Sequence, residues 1–414
     1  MLRTITNTTF ALAAISVLNF LLITLVLRTL GREGTADMGL IVLGISFILM
    51  ISNIIGGTSL VYFTSRESNF ALLFISYLWA GFSAVLMGTI LYVFELVPME
   101  FIWFIIVIGF LECVFSIHNQ LFIGKEDMKN HNFLKLVQKV IQVGFFILLE
   151  ITISNFVWSL LISYMIIILF SFFKTYKTIT NYKVVEPTLL FKKAFKYGFQ
   201  IQSSNIVQLL NYRLLYLIIE KTMGKSTLGL FTIAVQLSES LWIPSKALSI
   251  IQYGKVANER NEANKTFISV QFMKFAFVIT MVLTAILLLL PYPFLVSVFK
   301  EGIVGVKPII LALTLGILSI SVALSFSHYL SGRGLYHYLI KGSVIGLTAL
   351  LVSGWLLIEN YGLIGAGLAT SFSYLASSIY LGACFLKESG TGVRDFLIKK
   401  EDLKAILSFF KGAK

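Results

Sequence analysis

Proline, cysteine and charge are all scarce in this sequence, and each scarcity excludes something. Six prolines in 414 residues leave long apolar stretches almost uninterrupted. The two cysteines, Cys113 and Cys384, sit inside apolar runs without metal-ligand spacing, which excludes a disulfide scaffold or a zinc module. They are expected to be plain core or lipid-facing residues. Charged residues make up only 13% of the chain and hydrophobic ones 57%, against about 25% charged in an ordinary globular domain. A soluble domain cannot hide that much apolar surface, because surface area falls too slowly with size. No nucleotide-binding P-loop, zincin motif or hydrolase elbow is present, so neither an enzyme nor a cofactor is expected, nor transport powered by ATP on this chain. The first apolar run, Phe10 to Leu27, lacks a small-residue cleavage site and is taken as a membrane helix rather than a signal.

What is present is a series of apolar segments. A helix needs about 20 mostly apolar residues to cross the hydrocarbon core. That length places spans near 8–27, 39–63, 70–93, 101–123, 133–150 and 155–173, then near 197–219, 227–250, 267–290, 308–330, 339–358 and 362–386. Continuous apolar runs exclude the alternating pattern of a membrane barrel. In the fifth span Lys135, Gln138 and Lys139 intrude on the first turns, which suggests a later start. The 36 phenylalanines suit lipid-facing positions and interfacial belts.

Orientation follows from the lysines and arginines. With a cytoplasmic N-terminus, 26 of the 33 lie in inside segments, six lie outside, and Arg213 lies within a span. An even number of spans then puts both termini in the cytoplasm, in a multi-pass cytoplasmic (inner) membrane protein. The net charge of +13 is thereby explained by inner-face loops and attraction to lipid headgroups, with no nucleic-acid partner expected.

The longest inside connection divides the chain. The expected domains are an N-terminal six-helix lobe (1–173), a basic cytoplasmic linker (174–196), a C-terminal six-helix lobe (197–386) and a cytoplasmic tail (387–414). The halves share a local pattern. Arg28-Thr-Leu-Gly-Arg32 precedes Gly39-Leu40, and Lys221-Thr-Met-Gly-Lys225 precedes Gly229-Leu230. Six spans per half give both repeats one orientation, related by a pseudo-two-fold along the membrane normal, with a substrate cleft expected between lobes.

These segments resemble the polysaccharide and O-antigen flippase family, often called Wzx-type, of the multidrug/oligosaccharidyl-lipid/polysaccharide exporter superfamily. Arg28-Thr-Leu-Gly-Arg-Glu followed by Met38-Gly-Leu is similar to the turn between the family's first two helices. Asn211-Tyr-Arg-Leu-Leu, Met223-Gly-Lys, Gly229-Leu-Phe and Ala234 resemble the opening of its second half, with Pro244 where a proline is common. Tyr361-Gly-Leu-Ile-Gly-Ala-Gly-Leu-Ala-Thr resembles the start of its last helix. Leu214 and Leu215 stand where the family often has an aspartate, so that carboxylate role does not carry over. The resemblance implies flipping of an undecaprenyl-diphosphate-linked oligosaccharide repeat unit, with membrane lipids and the polysaccharide polymerase machinery as partners.

An ionisable residue in a membrane helix is costly and marks protein contacts or a wet cavity. Glu112, in span 4, shares a helical face with Ser116 and Asn119; a helix–helix hydrogen-bond cluster and a cation site are both open readings. In span 8, Thr232, Gln236, Glu239 and Lys246 form a stripe interrupted by Ile243, which is expected to line a cavity, although Lys246 also has the length to snorkel to the surface. In span 7, Gln200, Ser204, Asn205, Gln208 and Asn211 share one polar sector, with Arg213 about a quarter turn away. Arginine suits a diphosphate, since its fork gives paired charge-assisted hydrogen bonds. An ion pair with a carboxylate such as Glu239 is the alternative. His118, His131, His328 and His337 are expected at or near the inner interface, with His328 open to burial.

The expected substrate-binding residues are therefore Arg213, Lys246, Gln200, Ser204, Asn205, Gln208, Asn211 and Gln236, with Glu112 and Glu239 for coupling to protons or sodium. The rivals are a cation-coupled multidrug exporter of the same superfamily and a membrane-embedded glycosyltransferase or polymerase. Short outside connections argue against the last.

Overall fold

The computed structural model describes residues 2–64, 66–178, 186–259 and 261–397. Residues 179–185 of the expected linker and 398–414 of the expected tail lie outside the described residues. Among the described residues the chain is all α-helical, without strands: α1 (Leu2–Gly56), α2 (Thr58–Thr64), α3 (Asn69–Val93), α4 (Ile102–Gly124), α5 (Met128–Leu148), α6 (Ile153–Thr178), α7 (Pro187–Met223), α8 (Lys225–Ser240), α9 (Ile243–Asn258), α10 (Glu262–Leu289), α11 (Tyr292–Phe299), α12 (Val306–Gly332) and α13 (Tyr336–Ser389).

Seven of these elements are long and apolar enough to cross a membrane. Two of the seven are double. The helices α1 and α13, of 55 and 54 residues, each break at one glycine, Gly31 (φ 68°, ψ −158°) and Gly362 (φ 56°, ψ −130°). Each break separates two of the spans expected from sequence. The remaining expected spans are α5, α7 and the α8–α9 pair, whose polar residues set them apart from the seven. The twelve expected crossings are thus all helical.

Gly31 has a counterpart. Gly224, between α7 and α8, takes φ 83° and ψ 169°, nearly the same conformation. That region is essentially closed to side chains. Both glycines come from the repeated Arg/Lys-Thr-x-Gly-Arg/Lys pattern, so the repeat encodes one backbone break used in both halves. A Cβ at either position would meet nothing within 4 Å, so alanine there carries conformational strain and no clash. Gly31→Ala and Gly224→Ala are each expected to cost about 1–3 kcal/mol, seen as a lower thermal unfolding midpoint of the detergent-purified protein.

Two other features depart from the sequence reading. The helix α5 starts early, at Met128, capped by the Asp127 carboxylate accepting from the Asn130 N–H. Its intruding polar groups are absorbed by partners: the Gln138 amide donates to Ser163 Oγ at 3.1 Å, and Lys139 Nζ donates to Gln142 Oε1 at 2.6 Å. The eighth span is not one straight helix. It stops at Ser240, turns at Leu241–Trp242 and restarts as α9. Pro244 is the reason, since a proline lacks the N–H for the Ser240 carbonyl and its ring clashes there.

Contacts divide the described chain into two compact units. Unit one holds Arg3–Ile206 and Tyr216–Gly229; unit two holds Val207–Leu215 and the described residues from Leu230 onward. The first ten residues after the expected linker, 197–206, therefore group with unit one. The cause is close backbone packing. Ser59 Oγ donates to the Ala194 carbonyl at 2.8 Å, and Gly198 sits against the Ile54 carbonyl. Tyr197 stacks on Tyr62 with centroids 4.3 Å apart.

Candidate transport site

The middle of α7 supplies unit two with Gln208, Asn211, Tyr212 and Arg213. Arg213 Nη2 lies 3.1 Å from Glu239 Oε2, near the end of α8, with the side chains 27% and 18% exposed. At that exposure the pair is screened less than a surface bridge, yet it is not fully desolvated. The other carboxylate oxygen, Glu239 Oε1, is buried without a hydrogen-bond partner among the described residues. Such an orphan acceptor is costly, and it leaves the carboxylate able to take one more donor.

Three aromatic rings adjoin the pair. Tyr212 packs edge-on against Trp242 (5.7 Å) and Tyr374 (5.4 Å), and Trp242 stacks on Tyr374 (6.0 Å). The turn forced by Pro244 is what brings Trp242 to this position, directly after α8. Gln208 Nε2 donates to the Tyr212 hydroxyl at 2.6 Å. Asn211 Nδ2 donates to the Ser343 carbonyl at 2.9 Å, while its Oδ1 is buried without a partner among the described residues. Gln236 is half-buried on α8.

The other expected residues are placed elsewhere. Lys246 is exposed on α9, beyond the turn, so the stripe from Thr232 to Lys246 does not run along a single helix. Gln200, Ser204 and Asn205 lie in unit one; Gln200 and Asn205 are exposed, and the Asn205 amide donates to Gln202 Oε1 at 3.0 Å. Gln202 itself is buried and donates to the Met50 carbonyl at 3.3 Å. The structure thus splits the polar face of α7 between the two units.

Unit one has its own polar interior. Glu112 on α4 accepts a hydrogen bond from the Tyr164 hydroxyl on α6, and Lys139 and Lys135 on α5 act on it electrostatically. Ser116 Oγ reaches Asn53 Oδ1 at 3.5 Å, and Asn119 Nδ2 bonds back to the Phe115 carbonyl. Glu112, Ser116 and Asn119 therefore find separate partners. The interface placement of two histidines is corrected: His118 and His131 are both buried. His118 bridges three helices, with Nε2 2.6 Å from the Tyr77 hydroxyl and Nδ1 2.6 Å from Ser171 Oγ. Ser171 Oγ also donates to the Ile168 carbonyl at 3.1 Å. The set is satisfied when a neutral imidazole donates from Nδ1 and accepts the tyrosine O–H at Nε2. Its position near the helix end gave no sign of these partners, which come from α3 and α6. His118→Leu leaves both hydroxyls facing an apolar side chain and is expected to cost about 1–3 kcal/mol. Thermal unfolding of the variant, against a smaller loss in Tyr77→Phe, checks this. His328 is half-buried and His337 exposed.

Among the described residues no cluster of His, Cys, Asp and Glu has the arrangement to hold a metal ion. Both cysteines are buried and free.

The all-helical fold has counterparts among solved structures. An inward-facing multidrug resistance transporter of the MATE family, in the MOP superfamily, superposes with a TM-score of 0.72 at 13% identity, over 92% of this chain and 98% of that one. The lipid II flippase MurJ, in an inward closed conformation, gives 0.72 at 16% identity, over 97% of this chain and 91% of that one. A MOP-superfamily transporter from Pyrococcus furiosus, for which reverse polarity of the binding pocket suggests a different function, gives 0.67 at 12% identity, over 94% and 96%. The chain has the fold of a MOP-superfamily membrane transporter. Within that fold, a family model described as polysaccharide biosynthesis protein matches residues 64–252, a stretch holding Glu112, Arg213 and Glu239. That match, over just under half of the chain, agrees with the resemblance read from the sequence, and the solved structures add the fold alone. Comparison with curated proteins gives no match.

Proposed function

We propose that this protein flips an undecaprenyl-diphosphate-linked oligosaccharide repeat unit across the cytoplasmic membrane by alternating access. The observation that carries the reading is the Arg213–Glu239 pair, set beside Tyr212, Trp242, Tyr374, Gln208 and Asn211. Aromatic faces and amide side chains suit sugars, whose C–H faces stack on rings while their hydroxyls hydrogen-bond. The guanidinium suits a diphosphate, which would exchange with Glu239 as its counter-ion. Gln236, Gln200, Ser204, Asn205 and Lys246 are further residues proposed to bind substrate. Glu112 and Glu239 are the carboxylates through which protons or sodium would couple. The lipid tail stays in the bilayer throughout.

A multidrug exporter of amphiphilic cations is the competing reading. Both intramembrane carboxylates argue against it: Glu239 is paired with Arg213, and Lys139 and Lys135 act electrostatically on Glu112. The polymerase machinery is the expected partner on the far side of the membrane.

The test is complementation of a null strain in the native host, following surface polysaccharide and undecaprenyl-linked intermediates. Loss of surface polymer with accumulation of the lipid-linked repeat unit, reversed by the wild-type chain, supports flipping. Normal polymer with altered sensitivity to cationic drugs overturns it in favour of the exporter.

A further inference from the structure

A cavity of about 650 Å³ opens in unit two between the start of α10, the ends of α12 and α13, and the 3-10 turn Val393–Phe396. It shares no lining residue with the Arg213 site. On α10 the lining residues Glu262, Thr266, Val270 and Lys274 recur at every fourth position, so they form one row about 18 Å long at 1.5 Å per residue.

Charge is sorted along that row. At the mouth, Glu262, Glu388 and Asp395 gather near Arg333. Arg333 Nε lies 3.6 Å from Glu262, and its Nη1 lies 3.5 Å from the Glu388 carboxylate and donates to the Glu388 carbonyl at 2.8 Å. The Tyr338 hydroxyl donates to Glu388 Oε1, and the Gly392 N–H donates to Asp395 Oδ2. These bonds hold the carboxylates in fixed places. At the far end, three turns deeper into the α10 span, is Lys274, only 4% exposed. Val270 and Tyr329 form part of the wall, and Phe267 stands 59% exposed on the flank.

We propose that this cavity binds the headgroup of a zwitterionic phospholipid bearing a primary ammonium, that is, phosphoethanolamine chemistry. Lys265 Nζ, 2.7 Å from Glu262, already occupies that carboxylate, so a bare anion entering would face Glu388 and Asp395, and a bare cation would face Lys274 and Arg333. A phosphate joined to an ammonium arm satisfies both sets. The order along the row also agrees with a bilayer lipid, whose phosphate lies toward the chains and whose ammonium lies toward water. Lys274 is at the membrane-ward end and the carboxylates are at the water-ward end. A primary ammonium brings three N–H donors for those carboxylates, which a quaternary ammonium lacks. Phe267 offers apolar surface to the attached acyl chain. This site does not depend on what the protein transports.

The experiment is native mass spectrometry of the purified full chain titrated with phosphatidylethanolamine, phosphatidylcholine and phosphatidylglycerol of identical acyl chains. Phosphatidylethanolamine is expected to bind at least ten-fold tighter than either of the others. Lys274→Ala should weaken phosphatidylethanolamine and phosphatidylglycerol together, through the phosphate. Glu388→Gln combined with Asp395→Asn should bring the ethanolamine-to-glycerol ratio toward one and leave phosphatidylglycerol affinity in place. If Lys274→Ala fails to fold, the wild-type ranking and the carboxylate variant still decide. Equal affinity of the wild type for the three lipids, or an ethanolamine preference untouched by the carboxylate changes, overturns the proposal.

Discussion

Arg213→Ala is expected to abolish surface polysaccharide in the complemented null strain and to destabilise the purified protein by about 3 kcal/mol, the lower end of the range for breaking a buried ion pair on one side. The reason lies with the partner left behind. Glu239 already has one buried oxygen without a hydrogen bond, and removing the guanidinium leaves its whole carboxylate uncompensated. Stability and transport separate in the double variant Arg213→Met/Glu239→Met. Replacing both members of such a pair with apolar side chains of similar size is often neutral, so its unfolding midpoint should return close to that of the wild type. Surface polymer should not return, because under the proposed function the diphosphate has lost its arginine. A double variant that restores polymer as well as stability would reduce Arg213 to a structural role.

Gly198→Ala is expected to be the most damaging single-methyl change in unit one. A Cβ at this position would lie 1.6 Å from the Ile54 carbonyl oxygen and 2.8 Å from its carbon. Both are backbone atoms, so no side chain can rotate away, and α7 must separate from the end of α1. Overpacking costs typically 1–3 kcal/mol. Here the displaced contact also carries the Ser59–Ala194 hydrogen bond and the Tyr62–Tyr197 stack, so a value at or above the top of that range is expected. Gly144→Ala is the control, since a Cβ there meets nothing within 4 Å; the gain in helix propensity of about 1 kcal/mol should leave it as stable as the wild type or more so. Thermal unfolding and the monodisperse fraction after purification report both.

The helices, though not the break inside the eighth span, are legible in the sequence because length and apolar content decide them locally. Gly31 and Gly224 could be matched through their flanking residues, and their shared backbone conformation is what that match encodes. The site was only half legible. Arg213 and Glu239 stood out as charges in apolar runs, and their pairing was one of two open readings. Trp242 and Tyr374 did not stand out, because aromatic residues are abundant in a membrane chain and their approach depends on a turn. Pro244 marks that turn, and the polar stripe from Thr232 to Lys246, regular in sequence, is interrupted by it. The burial of His118 is hidden from the sequence for a related reason. Burial of a polar group is decided by partners on other helices, and Tyr77 and Ser171 are 41 and 53 residues away in sequence.

The three spans outside the apolar set, α5, α7 and the α8–α9 pair, bear on how the chain is made. Each carries polar or charged groups that raise the cost of partitioning alone from the translocon into lipid. Synthesis runs from the N-terminus, so Lys139 emerges after Glu112, the carboxylate that acts on it electrostatically. Arg213 emerges before Glu239, and α7 has to wait for α8 with its guanidinium unpaired. Insertion of α7 is therefore expected to be a joint event with α8, which brings the carboxylate that pairs with Arg213.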